Sequence, residues 1–140
     1  MNQEALVEEA KKAREFSYSP YSHFRVGAAL LCADGSVYTG CNIENAAFSP
    51  TNCAERTAVF KAVSEGKKEF VKIAVVGDDK TYLSPCGVCR QVLMEFVDPM
   101  EFEVIMAGDS DSIKVVKLAE LLPESFSPMN LKNHVKKDIF

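Results

Sequence analysis

Cys53-Ala54-Glu55 and, later in the chain, Ser84-Pro85-Cys86-Gly87-Val88-Cys89 supply three thiolates and one carboxylate at spacings that could serve a single metal ion. Three protein ligands leave a tetrahedral zinc with one corner for water, which separates a catalytic zinc from a structural one. A carboxylate beside that corner, and not itself a ligand, can carry protons to and from the water. The indicated chemistry is zinc-assisted hydrolysis, with Cys53, Cys86 and Cys89 as metal ligands and Glu55 as the proton carrier.

Zinc bound by three thiolates carries a net negative charge, so it polarises water less than a site built from neutral histidines. Arg56, next to Glu55, is expected to donate to the ligand sulfurs and draw electron density from them; the plainer alternative is an exposed helix arginine. Glu55 lies two residues from Cys53, roughly 200° around a regular helix. Both can approach one ion only if Cys53 sits at the very start of that helix. Cys41 could close the site as a fourth thiolate, but it adjoins Asn42 and Glu44, whose side chains point to the opposite strand face. Cys32, in an apolar run, reads as a buried core thiol.

These residues need elements to hold them. Leu6, Ala10 and Ala13 recur at helical spacing, predicting an amphipathic helix over about residues 3–16. Arg25 to Cys32 and Ser36 to Asn42 read as two strands of a hairpin turned at Asp34-Gly35. Ser49-Pro50-Thr51-Asn52 is loop and capping chemistry before a helix from about Cys53 to Ser64, with Val59 and Val63 on one face and Gly66 as its stop. Phe70 to Gly77 is a strand. Ser84-Pro85 places a capping hydroxyl before proline, predicting a helix over about residues 85–97 with Cys86 and Cys89 in its first turn. Phe102 to Ala107 and Ser112 to Val116 complete five strands, and a short helical piece surrounds Leu118 to Leu122. The later strands are expected to be joined by crossovers. The fold class is α/β: a three-layer α/β/α sandwich around a five-stranded mixed sheet, one domain spanning residues 1–140.

Sixteen basic against twenty acidic residues give a net charge of −4, which disfavours a surface for phosphate backbones. Lys132, Lys136 and Lys137 in the tail read as a scattered solvated surface. No apolar run has membrane length and the N-terminus does not resemble a signal peptide, so no membrane partner and a cytoplasmic location are expected. Five cysteines, an odd number containing a close pair, suit a reducing compartment and a metal better than a disulfide framework.

Taken together, Cys53-Ala54-Glu55-Arg56-Thr57, Ser84-Pro85-Cys86-Gly87-Val88-Cys89-Arg90-Gln91 and Cys41-Asn42-Ile43-Glu44-Asn45-Ala46 closely resemble the small homotetrameric cytidine deaminases. The zinc-deaminase signature is a ligand-x-Glu followed by Pro-Cys-x-x-Cys, with a three-cysteine variant. The resemblance implies one zinc per subunit, a nucleoside substrate, and conversion of cytidine and deoxycytidine to uridine and deoxyuridine plus ammonia in pyrimidine salvage. It further implies a zinc-bound hydroxide attacking C4 while Glu55 shuttles protons. Phe24 would stack on the pyrimidine, Asn42 and Glu44 would take the ribose hydroxyls, and main-chain groups at Ala54 and Ser84 would hold the base. Phe126 would enter a neighbouring subunit's site. Two positions depart from the family's usual pattern: Phe48 replaces a tyrosine and with it a hydrogen bond, and Val88 replaces an alanine and crowds the turn between the zinc cysteines.

Other readings stay open at this point. A non-catalytic zinc module predicts a fourth protein ligand and indifference to Glu55→Gln apart from stability. A nucleoside-antibiotic deaminase shares the three-cysteine core, although Asn42, Glu44 and Arg56 favour plain cytidine. Polynucleotide editing suits an acidic chain poorly.

Overall fold

The structure, a computed structural model, describes residues 1–110 and 112–131; the expectation for Lys132, Lys136 and Lys137 falls outside them. Its elements run α1 (Gln3–Arg14), β1 (Gly27–Cys32), β2 (Val37–Cys41), α2 (Ala54–Ser64), β3 (Phe70–Val76), α3 (Gly87–Met94), β4 (Glu103–Ala107), β5 (Ile113–Lys117) and α4 (Leu118–Leu121), ending in a 3-10 turn at Pro128–Leu131. Among the described residues the sheet has five strands in the order β2-β1-β3-β4-β5.

Strand alternation explains the layers. Ala29 and Leu31 of β1, Ala74 and Val76 of β3, and Ile105 and Ala107 of β4 pack with Leu6, Val7 and Ala10 of α1. The intervening Ala28, Leu30, Ile73, Val104 and Met106 face the opposite way, onto Ala58, Val59 and Ala62 of α2 and Leu93 of α3. β1, covered on both faces, is buried at all six positions, as expected for a strand sandwiched between helices. This is the α/β/α sandwich read from the sequence.

β1 pairs antiparallel with β2 and with β3, so β2 and β3 run the same way, and β3 pairs parallel with β4. The connections through α2 and α3 are therefore crossovers, and both helices begin at the same end of the sheet. β5 is the exception to the expected crossovers. It pairs antiparallel with β4, because the few residues between Ala107 and Ile113 cannot hold the helix that a parallel return requires.

Local chemistry sets the boundaries. Asn2 caps α1, its Oδ1 accepting from Ala5 N at 2.8 Å. Gly66, at φ +88°, ends α2 in the left-handed conformation, with Gly66 N bonded to Val63 O and Lys67 N to Ala62 O. The start of α3 corrects the sequence reading. Cys86, extended at φ −67° and ψ 166°, is its N-cap and Gly87 its first helical residue. Ser84 does not cap the helix, because its hydroxyl accepts from Arg90 Nη2 at 2.7 Å.

Candidate active site

The two crossover helices bring their N-termini together at the carboxyl ends of β2 and β3, the end of an open α/β sheet where ligands bind. Gly40 makes this approach possible on the β2 side. A Cβ there would stand 2.5 Å from Ala54 O and 2.6 Å from Ala58 N, so the first turn of α2 rests directly on the strand backbone. Cys53 and Cys86 are the N-caps of α2 and α3, both extended and neither with a side-chain capping bond. Their thiols are thus free to turn toward a ligand, near helix N-termini that favour thiolate.

The sulfurs converge. Cys53 Sγ lies 3.7 Å from Cys86 Sγ, which lies 3.5 Å from Cys89 Sγ, and all three are within 4.8 Å of one another. A tetrahedral zinc with Zn–S near 2.3 Å separates its sulfurs by about 3.8 Å, so the cluster fits that ion in donor type and spacing. Among the described residues no further His, Cys, Asp or Glu joins the cluster, and Cys41 stays outside it. Val88 is exposed, so the valine does not crowd the turn between Cys86 and Cys89. Hydrogen bonding from Cys89 lowers the Cys53 thiol to about 5 against the opposing effect of burial, with Arg56 and Cys86 adding to the fall. The same contact with Cys53, together with burial, pushes Cys89 far up.

Glu55 is 4% exposed, in the first turn of α2. The angular difficulty is resolved by the extended Cys53, which lies before the helical rotation begins. Burial raises the Glu55 carboxyl to about 7, because a charged carboxylate loses solvation there. Arg56 Nη2 donates to Cys53 Sγ at 3.3 Å. Burial opposes its charge, but hydrogen bonds to Cys53 and Cys89 more than compensate and raise its pKa.

The remaining predicted residues separate into two groups. Asn42 and Glu44 lie just beyond β2, where Ile43 makes single bridges to Tyr18 and Asn52. Both side chains turn to the segment carrying Phe24. Asn42 Nδ2 donates to Phe24 O at 2.8 Å, and its Oδ1 accepts from Val26 N at 2.9 Å and from Ser17 Oγ. Glu44 accepts from Tyr21 N at 2.9 Å, Ser22 N at 3.1 Å and Ser22 Oγ. The Ser22 hydroxyl and these amides hold its carboxyl below the usual range, against partial desolvation. Between them His23 adopts φ +56°, a left-handed turn for a non-glycine residue. Phe48 stands 76% exposed over a cleft of about 370 Å³ lined also by Tyr21, Ser22, Glu44, Asn45 and Thr51, its ring edge-on to Tyr21 with centroids 6.3 Å apart. Phe126 is exposed on the C-terminal segment, where its carbonyl accepts from Gln91 Nε2 at 2.9 Å.

Arg90 is a further residue that shapes this end of the sheet. Its Nε donates to Pro85 O at 2.8 Å, Nη1 to Leu121 O at 2.6 Å and Nη2 to Ser84 Oγ. Two of the nitrogens brace the loop that enters Cys86, and the third ties it to the end of α4. Its i, i+4 spacing from Cys86 is visible in the sequence; its partner at Leu121 is not.

Three converging sulfurs beside one buried carboxyl suit the chemistry of one class, the zinc-dependent hydrolases. Residues 1–105 match the family described as the cytidine and deoxycytidylate deaminase zinc-binding region. The cytidine deaminase of Sporosarcina psychrophila is 53% identical over 131 residues, 94% of this chain and 96% of its own. That of Halalkalibacterium halodurans is 49% identical over 133 residues, covering 95% of this chain and all of its own. The crystal structure of cytidine deaminase from Burkholderia pseudomallei superposes with a TM-score of 0.86 at 48% identity, covering 90% of this chain and 100% of that one. The chain belongs to the cytidine deaminase family, whose matching region is zinc-binding, and the Cys53, Cys86 and Cys89 cluster is consistent with one zinc per subunit.

Proposed function

We propose that this protein hydrolytically deaminates cytidine and deoxycytidine, giving uridine and deoxyuridine plus ammonia. The observation that carries this reading is the buried Glu55 carboxyl, raised to about 7, beside three sulfurs spaced for zinc. Zinc held by Cys53, Cys86 and Cys89 would supply the Lewis acidity that makes water a nucleophile at neutral pH. Glu55 takes a proton from that water as its oxygen bonds to C4 of the base, and delivers the proton to N3. It then takes a second proton from the new C4 hydroxyl and gives it to the amine. The C4–N bond breaks and ammonia leaves. A carboxyl titrating near the working pH suits both halves of this relay, because it accepts and releases protons with little driving force lost. Arg56 offsets the thiolate charge by donating to Cys53.

Phe24 stacks on the pyrimidine, main-chain groups at Ala54 and Ser84 hold its polar edge, and Asn42 and Glu44 receive the ribose. Both are already bonded to the segment carrying Phe24, which links sugar recognition to base stacking. The exposed aromatics Phe48 and Phe126 support a homotetramer in which neighbouring copies complete each site. The residues 1–140 are one such domain in this reading, with a place in cytoplasmic pyrimidine salvage; an odd number of cysteines containing a close pair agrees with a reducing compartment, and no described helix is long and apolar enough to cross a membrane.

The test follows the ultraviolet change as purified, zinc-loaded protein is incubated with cytidine, with cytidine monophosphate and blasticidin in parallel. Turnover of cytidine with ammonia release is expected. Absence of turnover with zinc bound, or turnover of blasticidin alone, would refute the assignment. Light scattering on the same sample gives the subunit number.

A further inference from the structure

Gly77 and Asp78, just past the end of β3, have no part in the chemistry above, yet they meet the segment that carries Phe24. A Cβ at Gly77 would lie 2.9 Å from Phe24 Cζ and 3.1 Å from Cε1, so the ring tip occupies the space that glycine leaves open. The next residue grips the neighbouring backbone. Asp78 Oδ2 accepts from Arg25 N at 2.7 Å, and the same carboxylate receives Arg25 Nη2 at 2.9 Å and Nε at 3.1 Å. Gly77 is itself fixed from beneath, where the buried Arg14 donates from Nη1 to Gly77 O at 2.7 Å and pairs with Asp109 at 3.1 Å. On the opposite side Asn42 bonds Phe24 O and Val26 N. Phe24 is therefore clamped from both flanks, with its ring seated on a residue lacking a side chain.

We propose that the Gly77-Asp78 turn is a positioning element for substrate: it fixes the Phe24 ring at the distance and tilt needed to stack on the pyrimidine. The proposal rests on the stacking role given to Phe24 above. Neither residue touches substrate. Asp78 acts through the backbone of Arg25, and Gly77 by supplying the floor under the ring. An aromatic held in a stacking geometry before ligand arrives loses less freedom on binding, so its preorganisation registers in affinity.

The experiment is a pair of double-mutant cycles in the zinc-loaded enzyme, measuring KM and kcat for cytidine. Phe24→Ala is expected to raise KM about tenfold, since base–aromatic stacking is of that size. Asp78→Ala is expected to raise KM about fivefold with kcat nearly kept, the pattern of lost uniform binding. In the Phe24→Ala background the Asp78→Ala effect should vanish, because there is no ring left to position. Asp78→Asn, which keeps an acceptor for Arg25 N, should recover most of the wild-type KM. Gly77→Ala provides the second cycle should Asp78→Ala fold poorly: it should raise KM in the wild-type background and lose that effect once the Phe24 ring is removed, the contact that remains being the flexible end of Leu83 at 3.2 Å. Additive effects in both cycles, or parallel losses of kcat and thermal stability without a change in KM, would overturn the proposal and leave the stacking reading intact. A Phe24→Ala enzyme with wild-type KM would overturn the stacking reading and this inference with it.

Discussion

Cys53, Cys86 and Cys89 reach one point because two helix starts deliver them there, whereas Phe24, Asn42 and Glu44 depend on loops held by individual hydrogen bonds. The sulfur cluster inherits its geometry from crossover connections and from Gly40, which lets α2 lie against β2. The proposed nucleoside side has no such frame. Its shape comes from the Asn42 amide, the Glu44 carboxylate and the Asp78 carboxylate, each gripping backbone between Tyr21 and Val26. Chemistry that needs fixed distances is placed on helices, and recognition that must admit and release a ligand is placed on loops. The first is set by packing and the second by polar contacts that a substrate can also engage.

Four measurements sharpen or break this contrast. Glu55→Gln should lower kcat about a thousandfold, within the range of general acid–base catalysis, while zinc analysis finds the metal still bound at one per subunit. If zinc is lost instead, the carboxyl belongs to the metal frame and the two halves are not separable as described. Gly40→Ala should damage the helical half, because the added methyl meets the Ala54 carbonyl and Ala58 amide, which cannot step aside. A destabilisation of about 3 kcal/mol in urea titrations, with weaker zinc retention against a chelator, is expected. An unchanged midpoint would mean that α2 can shift freely, contrary to a rigid metal end.

Glu44→Gln should act on the loop half alone, raising KM about tenfold from weakened charged hydrogen bonds while zinc content stays constant. A fall in zinc content would join what the contrast separates. The smallest effect is in acid stability. Asp78 is held below its ordinary pKa by the Arg25 side chain, and Asp34 by Lys67 and Ser36. As the pH falls, the unfolded chain takes up protons that these folded carboxylates resist, so stability is present above the unfolded carboxylate range, near about pH 4, and is lost below it. The melting temperature of wild type should therefore drop more steeply on acidification than that of Asp78→Asn. Parallel curves would show that the half-buried Arg25–Asp78 pair contributes nothing.

Much of this was legible in the chain. The Cys-x-Glu and Pro-Cys-x-x-Cys spacings indicated the metal and its carboxylate, since ligand chemistry allows few residue types. Alternating apolar positions indicated the strands because side-chain direction reverses at each residue. The start of α3 was less legible: Ser84-Pro85 carries the sequence mark of a capped helix, but Arg90 takes the serine hydroxyl and the cap passes to Cys86. β5 was misjudged in its connection for a similar reason, as strand direction depends on loop length and on neighbours that composition does not reveal. Arg90 and Asp78 went without roles because their partners, Leu121 and Arg25, are remote in the chain.

The amino-acid order by itself determined which atoms could bind a metal, move a proton or stack on a ring, because those capacities reside in single side chains and short spacings. The tertiary structure alone decided that Cys53 precedes the helical twist and so shares a site with Glu55. It also decided that Glu55 is buried enough to titrate near 7, and that Phe24 rests on Gly77. Burial and contact between distant segments are properties of the packed sheet and its helices, and no local pattern encodes them.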